Sequence, residues 1–123
     1  MKRSLKRGRR LSSEKRVEWV LVMNVMIDIC IVPLGVGVSV SKYIAACQRV
    51  LDDAQLAHEM HAYGTNVEGD WDRVMAAVKR CHEVVHQMGA PRITTSMRLG
   101  TRTDREQTMD DKIQSVKLKL ASE

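Results

Sequence analysis

The chain has 123 residues, 44% of them hydrophobic but only 3% aromatic, with no phenylalanine. This bounds it to one domain whose core must be filled by Val, Ile, Leu, Met and Ala. The net charge of +5 lies in an N-terminal arm: residues 1–22 carry eight Lys/Arg and two Glu, residues 23–123 carry 12 basic and 13 acidic groups, and the body therefore offers no charge argument for nucleic acid.

The arm, MKRSLKRGRRLSSEKR, has no apolar periodicity and is expected to be disordered. Its simplest reading is a solvated tail or sequence upstream of the working start, since Met23 and Met26 could each begin a shorter chain. Glu14 and Glu18 argue against a transit peptide. The following VEWVLVMNVMIDI is broken by Glu18, Asn24 and Asp28, so it reads neither as a secretory signal nor as a membrane span. Cys30, Cys47 and Cys81 are odd in number and form no C-x-x-C, the pattern of reduced, buried thiols in a cytoplasmic protein.

In residues 25–32, Val25, Ile27, Ile29 and Ile31 alternate with Met26, Asp28, Cys30 and Val32, which predicts a strand ended by Pro33. LGVGVSVS then reads as a loop, with Ser39 or Ser41 placed to cap a helix over 41–53. Ile44, Cys47 and Leu51 form that helix's inner stripe, with Ala45 and Val50 beside them. Alternation from Leu56 to Tyr63 predicts a second strand. Gly64 interrupts, Thr65–Glu68 is a short third strand, and Gly69 ends it. Asp70 caps a helix over 71–88, closed by Gly89, Ala90 and Pro91. Arg92–Arg102 is a fourth alternating strand. Thr108 caps a last helix with an apolar stripe of Met109, Ile113, Val116 and Leu120. The order β-α-β-β-α-β-α predicts an α+β fold: a ferredoxin-like βαββαβ sandwich with an additional C-terminal helix. The sheet face away from the helices, mixed and carrying Asp28, is of a kind that meets a second copy or a ligand.

One short motif demands a decision. His82-Glu83-Val84-Val85-His86 fits H-E-x-x-H, in which two histidines one helical turn apart hold zinc and the glutamate acts as general base. On the second helix, Val74, Val78, Cys81, Val85 and Met88 define the buried stripe. At about 100° per residue, His82 and His86 lie about 80° and about 120° from Val74, and Glu83 lies opposite it. A catalytic zinc also needs a third protein ligand. No histidine follows His86, and the only later glutamates are Glu106 and Glu123. The two histidines are therefore expected to be ordinary helix residues, with no metal bound.

Four separated segments share a further pattern: IVPLGVGVSVSKYI (31–44), YGTNVEGDWDRVM (63–75), KRCHEVVHQMGAPRITTSMRLGTRTD (79–104) and TMDDKIQSVKLKL (108–120). Together they resemble the small thiamine-binding-protein family of ferredoxin-like proteins over about 26–120, with no counterpart for the arm. The resemblance divides the chain into the arm, 1–22, and a binding domain, 23–123. It implies a cytoplasmic homodimer or homotetramer that binds thiamine or its hydroxymethylpyrimidine part without reacting it, and that uses no cofactor.

Such a ligand pairs an aminopyrimidine, which wants donors and acceptors, with a cationic thiazolium, which wants an acidic or aromatic neighbour. The candidates on these terms are Ser39 and Ser41 on the glycine loop, Thr65, Asn66 and Glu68 on the third strand, and Tyr43 and Trp71 for stacking. Glu68 is the best placed of them to accept from the pyrimidine amine or meet the cation. Each has a plainer reading: a helix cap for the serines, a turn carboxylate for Glu68, a packing residue for Trp71. The alternatives to thiamine binding are another small ligand or a regulatory role on the same fold, and, below these, a zinc hydrolase. RNA binding is disfavoured, because ITTSMRL has no aromatic on which a base could stack.

Overall fold

Strand β1 spans Asn24–Leu34 and buries Val25, Ile27, Ile29 and Ile31 on one side. It belongs to a computed structural model that describes residues 23–122; the basic arm expected over 1–22 lies outside the described residues. The other elements are α1 (Ser41–Asp53), β2 (Ala57–His61), β3 (Gly64–Asp70), α2 (Trp71–Gln87), β4 (Arg92–Thr101) and α3 (Met109–Ala121). The four strands form one antiparallel sheet in the order β2-β3-β1-β4. This is the expected α+β fold, βαββαβ with a C-terminal helix. The core lies between one sheet face and helices α1 and α2, where Tyr43, Cys47, Leu51, Val74, Ala77, Cys81 and Val85 meet the β1 isoleucines and Val67.

Four local expectations are corrected. Pro33 does not stop β1. The β3 pairing ends at Ile29–Thr65, so residues 30–34 have a strand neighbour only in β4, and a missing N–H is tolerated along such a one-sided stretch. The third strand is longer than Thr65–Glu68 and takes in both glycines. A Cβ on Gly64 would lie 2.6 Å from the Ile29 carbonyl oxygen, and one on Gly69 would lie 2.9 Å from Leu56 Cδ2. The glycines therefore permit close packing where their composition suggested a break. Neither Ser39 nor Ser41 caps α1: Val40 holds the cap position with no side-chain hydrogen bond. The buried stripe of α1 is Tyr43, Ala46, Cys47 and Leu51, turned one residue back from the expected Ile44, which is half-buried.

The other two caps form as read. Asp70 accepts from the Arg73 N–H at 3.3 Å. Thr108 and Asp111 make a reciprocal capping box at 3.0 Å each way. The stripe of α3 is another matter. Ile113, Val116 and Leu120 are exposed, as are Met97 and Leu99 on the helix side of β4.

On the open face, cross-strand register builds a polar network. Asp28 stands beside Asn66 of β3 and Arg98 of β4. His61 Nδ1 accepts from the Tyr63 N–H at 3.2 Å, which leaves the proton on Nε2, and Nε2–H donates to Asp28 Oδ1 at 2.7 Å. Arg98 donates to the other carboxylate oxygen at 3.2 Å. The hydrogen bond from His61, and then that from Arg98, holds the Asp28 carboxyl below its usual range.

Two predictions follow from burial and charge. Val85 is fully buried, and Val85→Ala should cost about 2 kcal/mol in denaturant unfolding, whereas Val38→Ala, at a fully exposed loop position, should stay within about 0.5 kcal/mol. Asp28 titrates lower in the folded chain than in the unfolded one, so its network stabilises the fold above the ordinary carboxylate pKa of about 3.9 and loses that contribution as pH falls through the folded value. Asp28→Asn should therefore be less stable than the parent at neutral pH. The gap should close from about pH 5 downward, read as urea midpoints across a pH series.

Candidate functional site

The aliphatic core does not close completely. With no phenylalanine and with the small side chains of Cys47, Thr65 and Cys81 in its wall, side-chain volume runs short between α1, α2 and the sheet. A cavity of about 330 Å³ results. Ile27, Ile29, Val67 and Val74 are among its apolar walls, and Gln48 and Thr65 supply polar groups. Its exposed border is the β2–β3 hairpin, Met60 to Tyr63, with Val32 nearby; Val40 and Ile44 border it from the start of α1.

The polar pair is set by local geometry. Thr65 alternates with Val67 on the inward side of β3 and is 6% exposed. Gln48 follows Ile44 by one turn of α1 and reaches down to the sheet, where its Nε2 donates to Thr65 Oγ1 at 2.9 Å. That bond leaves the Gln48 amide oxygen as an acceptor and the Thr65 hydroxyl hydrogen as a donor. The site can thus grip a flat heteroaromatic ring that presents one donor beside one acceptor, with aliphatic side chains against its faces.

Of the seven residues expected from the sequence, Thr65 alone lines this cavity. Ser39 is exposed in the loop and Ser41 is exposed at the first position of α1. Tyr43 is packed in the core at 4% exposure, with Lys42 Nζ 5.2 Å from its ring centre, so its ring is committed to packing. Trp71 packs against the core at the start of α2. Asn66 and Glu68 point to the open face by strand parity, opposite Asp28 and Met26. Glu68 Oε2 there accepts the Met109 N–H at 3.0 Å, at the first residue of α3. Gln48 and Tyr63 were missed. Gln48 carried a weak signal, a lone amide beside Cys47 on an otherwise apolar helix flank.

The HEVVH histidines have their own partners. His82 Nε2 shares a 2.7 Å hydrogen bond with Thr95 Oγ1, joining α2 to β4. His86 Nδ1–H donates to the Ala90 carbonyl at 2.8 Å, closing the turn after the helix. Their ring centres are 6.4 Å apart. Among the described residues, no group of three or more His, Cys, Asp or Glu side chains is placed to hold a metal, and no helix is long and apolar enough to cross a membrane.

Comparisons with known proteins agree with this architecture. Residues 27–117 match the family described as thiamine-binding protein. The UPF0045 protein sll0230 of Synechocystis is 71% identical over 97 residues, covering 79% of this chain and 80% of its own. The UPF0045 protein ECM15 of Eremothecium gossypii is 44% identical over 100 residues, covering 80% and 95%. The crystal structure of the hypothetical protein MJ1052 from Methanocaldococcus jannaschii superposes with a TM-score of 0.72 at 34% identity, covering 77% of this chain and 97% of that one. A Thermotoga maritima protein put forward as a thiamine biosynthesis/salvage protein shares the fold, with a TM-score of 0.65 at 19% identity over 76% of this chain and 98% of its own. With the match running through all four strands and into α3, the chain belongs to the thiamine-binding protein family.

Proposed function

We propose that the chain is a non-catalytic, cytoplasmic binding protein for thiamine or its hydroxymethylpyrimidine part, working as a homodimer or homotetramer. The observation that carries this reading is the 330 Å³ cavity with Gln48 and Thr65 paired in its wall. Pockets for small molecules begin at about 300 Å³ and are mostly apolar with a few placed polar groups. The Gln48 amide oxygen can accept from the exocyclic amine of an aminopyrimidine while the Thr65 hydroxyl donates to the adjacent ring nitrogen. Isoleucine and valine side chains cover the ring faces. A thiazolium would then extend toward the border, where Tyr63 offers an exposed ring to a cation. Asp28, hydrogen-bonded to the border residue His61, adds a carboxylate next to that exit.

Oligomerisation is supported by uncovered apolar surface. Met97 and Leu99 on β4, and Ile113, Val116 and Leu120 on α3, are exposed in one protomer, and contact between copies would remove them from water.

Calorimetry and thermal shift with thiamine and with hydroxymethylpyrimidine test the reading. Both ligands should raise the melting temperature by mass action, equivalent to about 2.7 kcal/mol at one hundred times Kd. Thr65→Val, which keeps shape and strand preference, and Gln48→Leu should each weaken binding about tenfold, the equivalent of one lost hydrogen bond of about 1.4 kcal/mol. No heat with either compound at millimolar concentration would sink the proposal. Unchanged affinity in Thr65→Val, with loss in Glu68→Gln, would move the site to the open face.

A further inference from the structure

Two thiols in the cavity wall take no part in the binding scheme above. Cys47 of α1 and Cys81 of α2 both line the cavity and are 5% and 2% exposed. They face each other across the seam between the helices. The Cys81 thiol donates to the Cys47 carbonyl oxygen, with Sγ 3.9 Å from it, which brings the two residues together. A disulfide asks for Cα atoms within about 4.4–6.8 Å, so the bond requires α1 and α2 to stay in close contact at these two residues. The third thiol differs. Cys30 borders the cavity from β1, but strand parity turns its side chain to the open face, beside Ser96.

Buried thiols are ordinarily inert because nothing reaches them. Here the cavity reaches both, and it is bordered by the exposed Met60–Tyr63 hairpin. We propose that Cys47 and Cys81 form a redox-active dithiol in the cavity wall, converted by a small peroxide into an intramolecular disulfide.

The chemistry balances in two steps. The Cys47 sulfur, as thiolate, attacks one oxygen of hydrogen peroxide; the O–O bond breaks, the sulfur becomes sulfenic acid, and the departing hydroxide takes up the thiol proton as water. The Cys81 sulfur then attacks the Cys47 sulfur, the S–O bond breaks, and the hydroxyl leaves with the Cys81 proton as a second water. Two electrons pass from the thiols to the peroxide. The order follows from the geometry: the Cys81 thiol proton is held at the Cys47 carbonyl oxygen, which leaves Cys47 as the sulfur free to ionise, and the Cys47 thiol lies below the usual thiol range while that of Cys81 lies above it. The new bond would fix α1 to α2 in the wall of the cavity, so oxidation alters the space offered to a ligand. The inference rests on the cavity and not on the identity of its ligand, and thiamine binding can fail while the bond forms.

The test is hydrogen peroxide on the folded full-length chain, followed by catalase, denaturation, alkylation and mass analysis. The expected result is one alkylatable thiol, at Cys30, a mass lower by about 2 Da before alkylation, and a linked Cys47–Cys81 peptide that dithiothreitol releases. The melting temperature of the oxidised protein should exceed that of the reduced protein, because the crosslink restricts the unfolded chain. Cys81→Ala should instead accumulate oxygen on Cys47 with no crosslink. Three alkylatable thiols after treatment, or a bond that includes Cys30, would overturn the proposal, and neither outcome depends on how a variant folds.

Discussion

β1 pairs with β3 through Asn24–Ile29 and with β4 through Val25–Leu34, so its pleat sets the side on which both neighbours present their side chains. Val25, Ile27, Ile29 and Ile31 face the helices; Asp28 faces away. A slip of one residue would drive the Asp28 carboxylate into the aliphatic core and expose the isoleucines, a cost no local adjustment could offset. The register is held from the polar side as well, because Asp28 is hydrogen-bonded by His61 of β2 and by Arg98 of β4. That bond to β2 crosses β3 where the strand carries Gly64, whose lack of a side chain leaves the gap open. The same parity places Thr65 inward and Asn66 and Glu68 outward. It thereby divides the candidates for a ligand site between the two faces of the sheet.

The cavity follows from what fills the inward face. Interiors are normally packed to the density of organic crystals. This one is built from Val, Ile, Leu, Cys and Ala, with Tyr43 as its large buried ring, and Tyr43 lies outside the cavity lining. The space left over is bordered by an amide and a hydroxyl that satisfy each other only in part. An apolar void with no polar partner would be a plain loss of dispersion contacts. A void with a spare acceptor and a spare donor can return those contacts when a ring of matching chemistry occupies it.

Much of this was legible in the sequence, and the reasons for the remainder are specific. Strand and helix order follows from period-2 and period-3.6 patterning, which is local. Whether Pro33 ends a strand depends on whether β3 extends alongside it, which is not local. Gly64 and Gly69 read as breaks because their composition is that of turns, yet both serve close packing within β3. On α1 the more apolar Ile44 outranked Tyr43 as a buried residue, and the contact geometry chose the ring. Thr65 could be found because it alternates with Val67. Gln48 gave only a weak signal, since a single amide on a helix flank looks much the same whether it meets water or a partner across the core.

Glu68 shows how a residue chosen for its ligand chemistry can also hold the fold together. Its carboxylate suits an amine or a cation, and nothing in the neighbouring sequence argues otherwise. In the fold it accepts the backbone N–H of Met109, where the unsatisfied donors and positive dipole end of α3 gather. That anchor fixes α3 to the open face at its start and leaves Ile113, Val116 and Leu120 without cover from their own protomer. Met97 and Leu99 lie on the opposite side of the sheet, so α3 is not positioned to shield them either. Asp28, on the same open face as Glu68, is held by His61, a residue of the cavity border. The two acidic residues of this sheet face thus hold different elements, Asp28 the hairpin through His61 and β4 through Arg98, and Glu68 the start of α3.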